Sequence, residues 1–515
     1  MKKNLIFSEK DLKQIKQHNL TLEKVNQQKA TFINSIPFVE VITSASVGNG
    51  IEVISKDNQQ KLISFYEDKK ESLDIVKFVP ASGAATRMFK FLHSFLEDYN
   101  PELESISTYL NEGDKKDLET FFNSYKDFAF VNDVRKKIRE KYPDYKHGTK
   151  GVRYQLFVKT MLGNKGLNFS NLPKGLIPFH KYQKYATTAF EEQLLEAAYF
   201  ASVGNDVYLH FTFSKNHVNF FKEKFNEIKT RVSKKTKKEF HISYSFQKNE
   251  TDTIAVHFDN TPFRNKNEEL VFRPSGHGAL LSNLNEVDAD VIFIKNIDNV
   301  VAEEYIEPIS YYKKVLVGKM LWVQKKVFSY IKLLDNTEMS LELSAEIKSF
   351  LWNELNIKDV LIEKETILEI LNRPIRVCGV VKNTGAPGGG PFWVKDRISQ
   401  TTSLQIVEMS QIDPLDNHQQ TIINEATHFN PVDIVCGIRD YKGNKFDLSN
   451  FTDPNSGIIT EKSQDGKPLK ALELPGLWNG AMSNWNTALV EVPLFTFNPV
   501  KTVNDLLKKE HRPNA

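Results

Sequence analysis

Cysteine is scarce in this sequence, and its scarcity excludes two classes of protein. The 515 residues include only Cys378 and Cys436. Two cysteines cannot build the several cross-links of a disulfide-rich scaffold, and without a CxxC pair they offer no thiolate metal site. We therefore expect both to be small, buried apolar side chains.

The sequence also lacks a dominant charge and a long apolar run. Lys and Arg number 68 against 65 Asp and Glu, a net charge of +3, which gives no overall electrostatic basis for nucleic-acid binding. No stretch approaches the roughly 18 apolar residues that span a bilayer. The charged "SEKDLKQIKQ" directly after "MKKNLIF" also argues against a signal peptide. We expect a cytoplasmic protein that binds neither nucleic acid nor membrane, and the sequence indicates no oligomeric state.

The apolar content, by contrast, is ample for a folded core. Hydrophobic residues make up 40% of the chain, with 36 Phe and 17 Tyr, a composition typical of globular proteins. Apolar spacing of three and four residues predicts helices from residue 8 to about 70 and from 100 to 165. From residue 176 onward, predicted strands such as 206–214 and 240–247 alternate with helices. That alternation is typical of a mainly parallel sheet covered on both faces.

One junction between a strand and a helix is built from small residues. In "DIVKFVPASGAATRMF" a strand is predicted over 74–81 and a helix from Thr86 to Tyr99. Free N–H groups at such a junction can hold a phosphate, and small side chains let the backbone approach a ligand closely. Arg87 would add a fixed charge. The alternative is an ordinary turn with a surface arginine, since neither a Walker A loop nor GxGxxG is present.

Further phrases follow this junction in a characteristic order. They are "LPKGLIPFHKY" (172–182), "LVFRPSGHGALLSNL" (270–284), "VIFIKNIDNV" (291–300), "RVCGVVKNTGAPGGGPFWV" (376–394), "LQIVEMSQID" (404–413) and "LFTFNPVKTVNDLL" (494–507). In this order they resemble the UDP-sugar pyrophosphorylases, especially the UDP-N-acetylhexosamine group, which are GT-A-like nucleotidyltransferases. The phrases "THFNPVDIVC" and "KALELPGLWNGAM" also resemble an uncharacterised bacterial domain-of-unknown-function family.

The resemblance implies a fold and a division of the chain. The fold is α/β, with a Rossmann-like mixed, mainly parallel sheet of the GT-A nucleotide-diphospho-sugar transferase type. An N-terminal helical region would occupy 1–73, and the nucleotidyltransferase-like domain 74–435, with a helical insertion at about 95–165. The segment 436–515 would return to the active site. This chain departs from the family in having alanine at position 84 or 85 for a glycine, and in the long insertion before "PKG".

The resemblance also implies a nucleotide site made of two loops and a strand end. Its residues are Ala81, Ser82, Gly83, Ala84, Gln247, Gly276, His277 and Gly278. The first loop would lie beside the base, and Gln247 would contact the uracil edge. The alternatives are an ordinary strand-end glutamine for Gln247 and a surface or core histidine for His277.

Three basic residues match the family's catalytic cations. Arg87 would clamp the triphosphate, Lys174 of "PKG" would hold its phosphates, and Lys501 of "FNPVK" would meet the sugar phosphate. Lys90, one helical turn beyond Arg87, is a substitute for Lys174 if the insertion displaces that loop. The alternative for both lysines is a solvated surface role.

Metal and sugar ligands complete the implied site. Asp298 ends an apolar strand, where the ligand crevice of an α/β sheet opens, and Asp433 is a second candidate for Mg²⁺ (or Mn²⁺) with a capping role as the alternative. One or two carboxylates suffice, because Mg²⁺ takes water and phosphate oxygens as its other ligands. The residues implied on the sugar side are Gly388, Gly389, Glu408 and Asn430, with His428 a weaker candidate.

The expected reaction is nucleotidyl transfer, in which an NTP and a sugar 1-phosphate give an NDP-sugar and pyrophosphate. UTP is the expected nucleotide by resemblance. Two alternatives remain open. One is a GT-A glycosyltransferase that uses the NDP-sugar as donor, and the other is a non-catalytic nucleotide-binding or interaction protein on the same fold.

Overall fold

The computed structural model describes residues 7–83, 85–385, 388–396, 399–453 and 455–513. Its contacts divide the chain into two compact units, both discontinuous in sequence. Unit 1 comprises the residues up to Asp74, Ser245–Phe293 and Lys314–Leu494, and unit 2 comprises Ile75–Tyr244, Ile294–Lys313 and the residues from Phe495 onward. The three consecutive regions expected from the sequence stay a prediction.

Helices are distributed along the whole chain. They are α1 (Glu9–Gln17), α2 (Leu22–Asn34), α3 (Lys56–Lys69), α4 (Lys90–Asp98), α5 (Ile106–Asn111), α6 (Lys116–Ser124), α7 (Val131–Lys141), α8 (Lys150–Leu162), α9 (Ala189–Phe200), α10 (Val218–Thr236), α11 (Leu281–Leu284), α12 (Ile306–Asn336), α13 (Leu341–Asn353), α14 (Lys364–Leu371) and α15 (Asn417–Asn424). Over the described residues, none of them has both the length and the apolar character needed to cross a membrane.

Strands alternate with these helices. They are β1 (Val41–Ser44), β2 (Ser46–Val47), β3 (Gly50–Glu52), β4 (Ile75–Pro80), β5 (Pro178–Lys181), β6 (Ala186–Thr188), β7 (Ser202–Val203), β8 (Asp206–Phe213), β9 (Glu239–Phe246), β10 (Thr253–Ile254), β11 (Phe272–Arg273), β12 (Val291–Ile294), β13 (Ile357–Lys358), β14 (Ile375–Val380), β15 (Gly390–Lys395), β16 (Thr402–Val407), β17 (Asp433–Gly437), β18 (Ile458–Gln464), β19 (Lys467–Glu473) and β20 (Asn486–Glu491).

Unit 1 is built on a mixed sheet and a smaller antiparallel one. The mixed sheet has the order β2-β3-β20-β14-β17-β12; β14 runs parallel to β20 and antiparallel to β17. The second sheet has the order β1-β15-β16-β13. Both cysteines lie in the mixed sheet as buried free thiols, Cys378 on β14 and Cys436 on β17, as expected. The predicted α/β fold with a mixed sheet is confirmed.

The N-terminal region contains more than the predicted helices. Helices α1 to α3 lie within it, but the short strands β1, β2 and β3 interrupt them between Val41 and Glu52. β1 pairs with β15, about 350 residues away in sequence, and such a pairing is not visible in local spacing.

Unit 2 combines a small sheet with a helical block. β4 runs parallel to β8, which pairs antiparallel with β7 and also with β9. The predicted helical insertion forms α4 to α8 without a strand among them. Aromatic rings fill its interior; the rings of Phe122 and Tyr154, for example, stack at 4.1 Å. Edge and stacked ring contacts of this kind add to the area that the side chains bury.

The most buried charges of unit 2 surround Glu196 on α9. Its carboxylate lies 2.5 Å from Lys77 Nζ, 2.5 Å from Lys295 Nζ and 3.6 Å from Lys313 Nζ, and all four side chains are nearly inaccessible. Burial alone would raise the pKa of Glu196, but the three lysines outweigh it and lower the pKa well below its usual range. Burial lowers the pKa of Lys77 to about 7 against the pull of Glu196. Because Lys77 belongs to β4 and Lys295 follows β12, this carboxylate joins two strands to one helix.

Replacing this carboxylate should destabilise the protein strongly. We expect Glu196→Gln to lower the free energy of unfolding by about 3–5 kcal/mol, because buried ammonium groups would lose their counter-charge. Denaturant unfolding measures this. The matched control is Glu227→Gln, which removes an exposed carboxylate paired with Lys224 and should cost less than about 1 kcal/mol. Equal unfolding midpoints for the two variants would contradict the assignment.

Candidate functional site

The small-residue turn after β4 exposes its backbone. Ala81 is buried and its N–H donates to Thr212 O at 3.0 Å, whereas Ser82 is half-buried and Gly83 exposed. A Cβ placed on Gly83 would meet no atom within 4 Å, so the peptide here is open to a ligand. The predicted residue Ala84 lies outside the described residues.

The segment after the turn begins differently from the prediction. A 3₁₀ turn covers Ala85–Phe89, and helix α4 begins at Lys90, not at Thr86. Arg87 is exposed, and over the described residues its side chain forms no hydrogen bond or ion pair. Its guanidinium is therefore available to an anion. Lys90 is exposed as well.

The predicted "PKG" loop lies against this turn. Lys174 N donates to Gly83 O at 3.2 Å, and Ala85 N donates to Leu172 O at 3.2 Å. A Cβ on Gly175 would come within 3.0 Å of Ile297 Cγ1, so a glycine allows the loop to pack closely. The long helical insertion between Arg87 and Lys174 does not separate the two elements, and the alternative role of Lys90 stays a prediction.

The ammonium group of Lys174 bridges two further predicted elements. Its Nζ lies 2.8 Å from Asp298 Oδ2 and 2.8 Å from Val500 O. The two side chains of this pair are 16% and 19% exposed, so the pair remains accessible to a ligand. Lys501, which follows Val500, is exposed, and its backbone N–H donates to Asp505 Oδ2 at 2.8 Å. Unit 2 therefore brings Gly83, Lys174, Asp298 and the "FNPVK" phrase together.

Helix α9 supports the loop that carries Asp298. Gln193 Nε2 donates to Asn296 O at 2.9 Å and to Ile297 O at 3.3 Å. One turn further along the same helix, Glu196 binds Lys295. Sequence reasoning recognised this helix but not the role of its polar residues. The signal was available, because polar residues in the middle of an otherwise apolar helix are rarely buried unless they have partners.

Asp298 is the predicted metal ligand in this part of unit 2. Over the described residues, no group of three His, Cys, Asp or Glu ligands includes it. A protein-built metal cage is therefore not present there, but a single carboxylate suits Mg²⁺ or Mn²⁺, which take most of their ligands from water and phosphate. Asp433, the first residue of β17, belongs to unit 1, where it is 5% exposed.

The residues implied on the sugar side lie together in unit 1. A Cβ on Gly389 would come within 2.2 Å of Val407 O, 2.9 Å of Asn430 Oδ1 and 2.9 Å of Glu408 Cα. Only glycine permits that approach. The adjacent Gly388 has φ of 152° and lies close to Asn430 as well. His428, the weaker candidate, is 3% exposed, and its Nε2 lies 2.9 Å from a carboxylate oxygen of Glu491.

His277 joins this cluster. Its Nδ1 accepts a hydrogen bond from Leu477 N at 2.9 Å, so the ring proton is on Nε2, which lies 3.8 Å from Glu408 Oε1. The His277 side chain, aided by Asn479, lowers the pKa of the Glu408 carboxyl. The ring stacks on Trp478 with a centroid distance of 4.4 Å. This stacking holds the His277 ring in one orientation.

The remaining predicted nucleotide residues also belong to unit 1. Gly276 has φ of 76°, and a Cβ on Gly278 would lie 2.0 Å from Pro475 O, so both positions require glycine. Gln247 follows β9, and its Nε2 is buried without a hydrogen-bond partner in the described part of the chain. Asn430 Oδ1 is in the same situation. Buried polar atoms of this kind are usually satisfied, so each of these amides has an atom that can take a further hydrogen bond.

The C-terminal segment of unit 2 is held by a buried histidine pair. Asn498 N donates to Asn299 Oδ1 at 2.8 Å, and His511 Nε2 donates to Asn498 O at 3.1 Å. His511 Nδ1 lies 2.9 Å from His180 Nε2. Burial, with a further contribution from His180, lowers the pKa of His511 to about 3. Sequence reasoning did not identify either histidine.

Two other features lie away from the predicted residues. A cavity of about 570 Å³ in unit 1 is lined by Arg373, Tyr441 and others, none of them a predicted site residue. In unit 2, ligand atoms of Asp206, Glu239 and His241 lie within 4.8 Å of one another, with His241 Nε2 2.6 Å from Asp206 Oδ1. The latter contact is accounted for as a hydrogen bond between two surface side chains.

Comparison with known families decides the membership of this chain. Residues 8–512 match the model of a family described as "Domain of unknown function (DUF4301)". The chain belongs to the DUF4301 family. The expectation of a domain-of-unknown-function family is thereby confirmed. Among curated protein sequences, none matches this DUF4301 chain significantly.

Solved structures similar to the DUF4301 chain include several UDP-sugar enzymes. One is a mutant UDP-glucose pyrophosphorylase of Leishmania major in complex with UDP-glucose, with 13% identity, a TM-score of 0.44, and coverage of 99% of this chain and 80% of that one. Another is the UDP-N-acetylglucosamine pyrophosphorylase of Trypanosoma brucei in complex with an inhibitor, with 10% identity, a TM-score of 0.45, and coverage of 94% and 74%. Similarity at this level transfers no residue role.

The buried histidine pair makes stability depend on pH. His511 titrates at about 3 in the folded chain and at 6.5 ordinarily, so between these values the unfolded chain binds a proton that the folded chain does not. Its contribution is complete above pH 6.5 and is lost as the pH falls toward 3. From about pH 6 to 4.5, the free energy of unfolding should fall about 1.4 kcal/mol per pH unit more steeply in the wild type than in His511→Gln. Parallel curves from denaturant titrations would refute this.

Proposed function

We propose that this DUF4301 protein is a nucleotidyltransferase that converts an NTP and a sugar 1-phosphate into an NDP-sugar and pyrophosphate. The observation that carries the proposal is the position of Lys174. Its backbone contacts the small-residue turn at Gly83, and its ammonium group contacts both Asp298 and Val500 O. Three phrases that are distant in sequence, assigned by motif resemblance to the nucleotide base, the phosphates or the metal, therefore meet at one residue.

The charges of this cluster suit a triphosphate. The exposed backbone at Ser82 and Gly83 would receive phosphate oxygens through N–H groups. Arg87 would clamp the outer phosphates with its planar donors, which match phosphate geometry. Lys174 would neutralise the charge that develops on the departing pyrophosphate. Preorganised charge of this kind is the main contribution an enzyme makes to phosphoryl-type transfer.

The transfer itself needs no general base. An oxygen of the sugar 1-phosphate, already anionic near neutral pH, attacks the α-phosphorus of the NTP in line. A new P–O bond forms, the bond from the α-phosphorus to the bridging oxygen breaks, and its electron pair leaves with pyrophosphate. Lys501 would hold the attacking phosphate in position. Asp298 would hold Mg²⁺ or Mn²⁺, and the bound ion would neutralise phosphate charge. A metal role for Asp433 stays a prediction.

The ion pair between Lys174 and Asp298 is compatible with this role. The two groups satisfy each other at 2.8 Å. A metal–triphosphate complex offers the carboxylate a cation and the ammonium an anion, so both can exchange partners without leaving a buried charge unpaired.

Residues of unit 1 would bind the rest of the substrates. Gln247, Gly276, His277 and Gly278 are proposed for the nucleotide, and Gly388, Gly389, Glu408 and Asn430 for the sugar. The support is the clustering of these residues and the unpartnered amide atoms of Gln247 and Asn430. A uracil edge or a sugar hydroxyl would supply their missing hydrogen bonds. The choice of UTP follows from the motif resemblance.

Pyrophosphate release tests the proposal. The full-length chain is incubated with Mg²⁺, each NTP in turn and a panel of hexose and N-acetylhexosamine 1-phosphates. We expect release that requires one sugar phosphate, and a fall in kcat/KM of about 100-fold in Arg87→Ala. The matched control is Arg153→Ala, an exposed arginine on α8, which should leave the rate unchanged.

Three outcomes separate this function from its rivals. No release across the panel by a folded chain that binds NTP would overturn the proposal in favour of a nucleotide-binding protein. Sugar transfer from an NDP-sugar without pyrophosphate chemistry would identify a glycosyltransferase. Equal loss of activity in Arg87→Ala and Arg153→Ala would remove Arg87 from the site.

A further inference from the structure

The segment that carries Lys501 is fixed by backbone contacts at both sides of Pro499. Asn498 N donates to Asn299 Oδ1 at 2.8 Å, and Val500 N donates to Asp298 O at 3.2 Å. Val500 O in turn accepts from Lys174 Nζ. The position of residues 498–501 therefore determines the position of Val500 O, one of the two oxygens that accept from the Lys174 ammonium group.

A series of buried, hydrogen-bonded side chains connects helix α9 to residues 498–501. His511 is 1% exposed and His180 is not exposed at all. A carbonyl oxygen can only accept, so His511 Nε2 carries the proton in its 3.1 Å bond to Asn498 O. His511 Nδ1 must then accept from His180 Nε2, which lies 2.9 Å away. Both hydrogen bonds of the His511 ring therefore have a defined donor and a defined acceptor.

The far end of this series is the carboxylate of Glu192. His180 Nδ1 lies 2.8 Å from Glu192 Oε1, which also accepts from Tyr182 Oη at 3.1 Å and from Thr187 Oγ1. Both hydroxyls can donate to this oxygen, which lies at the centre of a buried hydrogen-bond network. Glu192 thus holds the His180 ring from the helix side, and His511 is held in a single tautomer and orientation.

Helix α9 consequently supports both oxygens that hold Lys174. Gln193 binds the backbone of the loop that leads to Asp298, and Glu192, one residue earlier, directs the histidine pair to Asn498. We infer that His180 and His511 are positioning residues for the proposed transfer. They hold residues 498–501 in place beside Lys174 and Asp298. This inference rests on the proposed function.

Two substitutions at one position test the inference. In His511→Gln the side-chain amide can still donate to Asn498 O and accept from His180, whereas in His511→Leu neither bond is possible although the volume is similar. We expect kcat for pyrophosphate release to fall about tenfold in the leucine variant and to stay near the wild-type value in the glutamine variant. Ile228→Ala, a truncation of a buried apolar side chain on α10, controls for general destabilisation.

Amide hydrogen exchange provides a readout that does not depend on activity. The amides of Asn498, Val500 and Lys501 should exchange about tenfold faster in His511→Leu than in His511→Gln or Ile228→Ala. Unchanged exchange in the leucine variant, or faster exchange with an unchanged kcat, would overturn the positioning role. A wild-type chain that releases no pyrophosphate while these amides still respond would instead overturn the proposed function and leave the anchoring intact.

Discussion

The candidate site of unit 2 depends on one buried carboxylate, that of Glu196. Three lysines lie around it, two of them at 2.5 Å, and a protein interior tolerates such charges only when they are paired. Lys77 belongs to the strand that leads into the small-residue turn, and Lys295 to the segment that leads to Asp298. The ion pairs of Glu196 thereby hold the end of β4 near the segment that leads to Asp298, where phosphate and metal would bind.

The same helix also carries the groups that place the C-terminal segment. Along α9, Glu192 contacts the histidine pair, Gln193 donates to the backbone beside Asp298, and Glu196 accepts from the lysines. A helix with four buried polar residues is costly unless their polar groups have partners, because an unsatisfied group loses its hydration without compensation. That cost is explained if these polar residues serve to hold the loop that carries Asp298 in one position.

Much of the architecture follows from local patterns in the sequence. The strand at 75–80, the helical insertion and the alternation beyond residue 176 were predictable, because apolar spacing directly reflects burial on one face of an element. The late start of α4 at Lys90 was not, since a 3₁₀ turn has no distinct apolar period. The pairing of β1 with β15 was also hidden, because it depends on residues far apart in the chain.

For the candidate site, the sequence indicated which residues to consider but not the contacts among them. Motif order indicated Lys174, Asp298 and Lys501, and the structure brings their segments together in unit 2. The supporting residues Gln193, Glu196, His180 and His511 could not be inferred, because their roles arise from burial and direction of hydrogen bonds. The position of the "PKG" loop against the turn, despite the insertion, likewise depends on tertiary contacts.

The most direct test of the account is amide hydrogen exchange of the full-length chain with and without UTP and Mg²⁺. The account predicts slower exchange in two stretches of unit 2, residues 81–89 and 172–177, because the turn and the Lys174 loop would receive the triphosphate. Protection confined to other parts of the chain, at UTP concentrations that saturate binding, would contradict the claim that this cluster is the phosphate site.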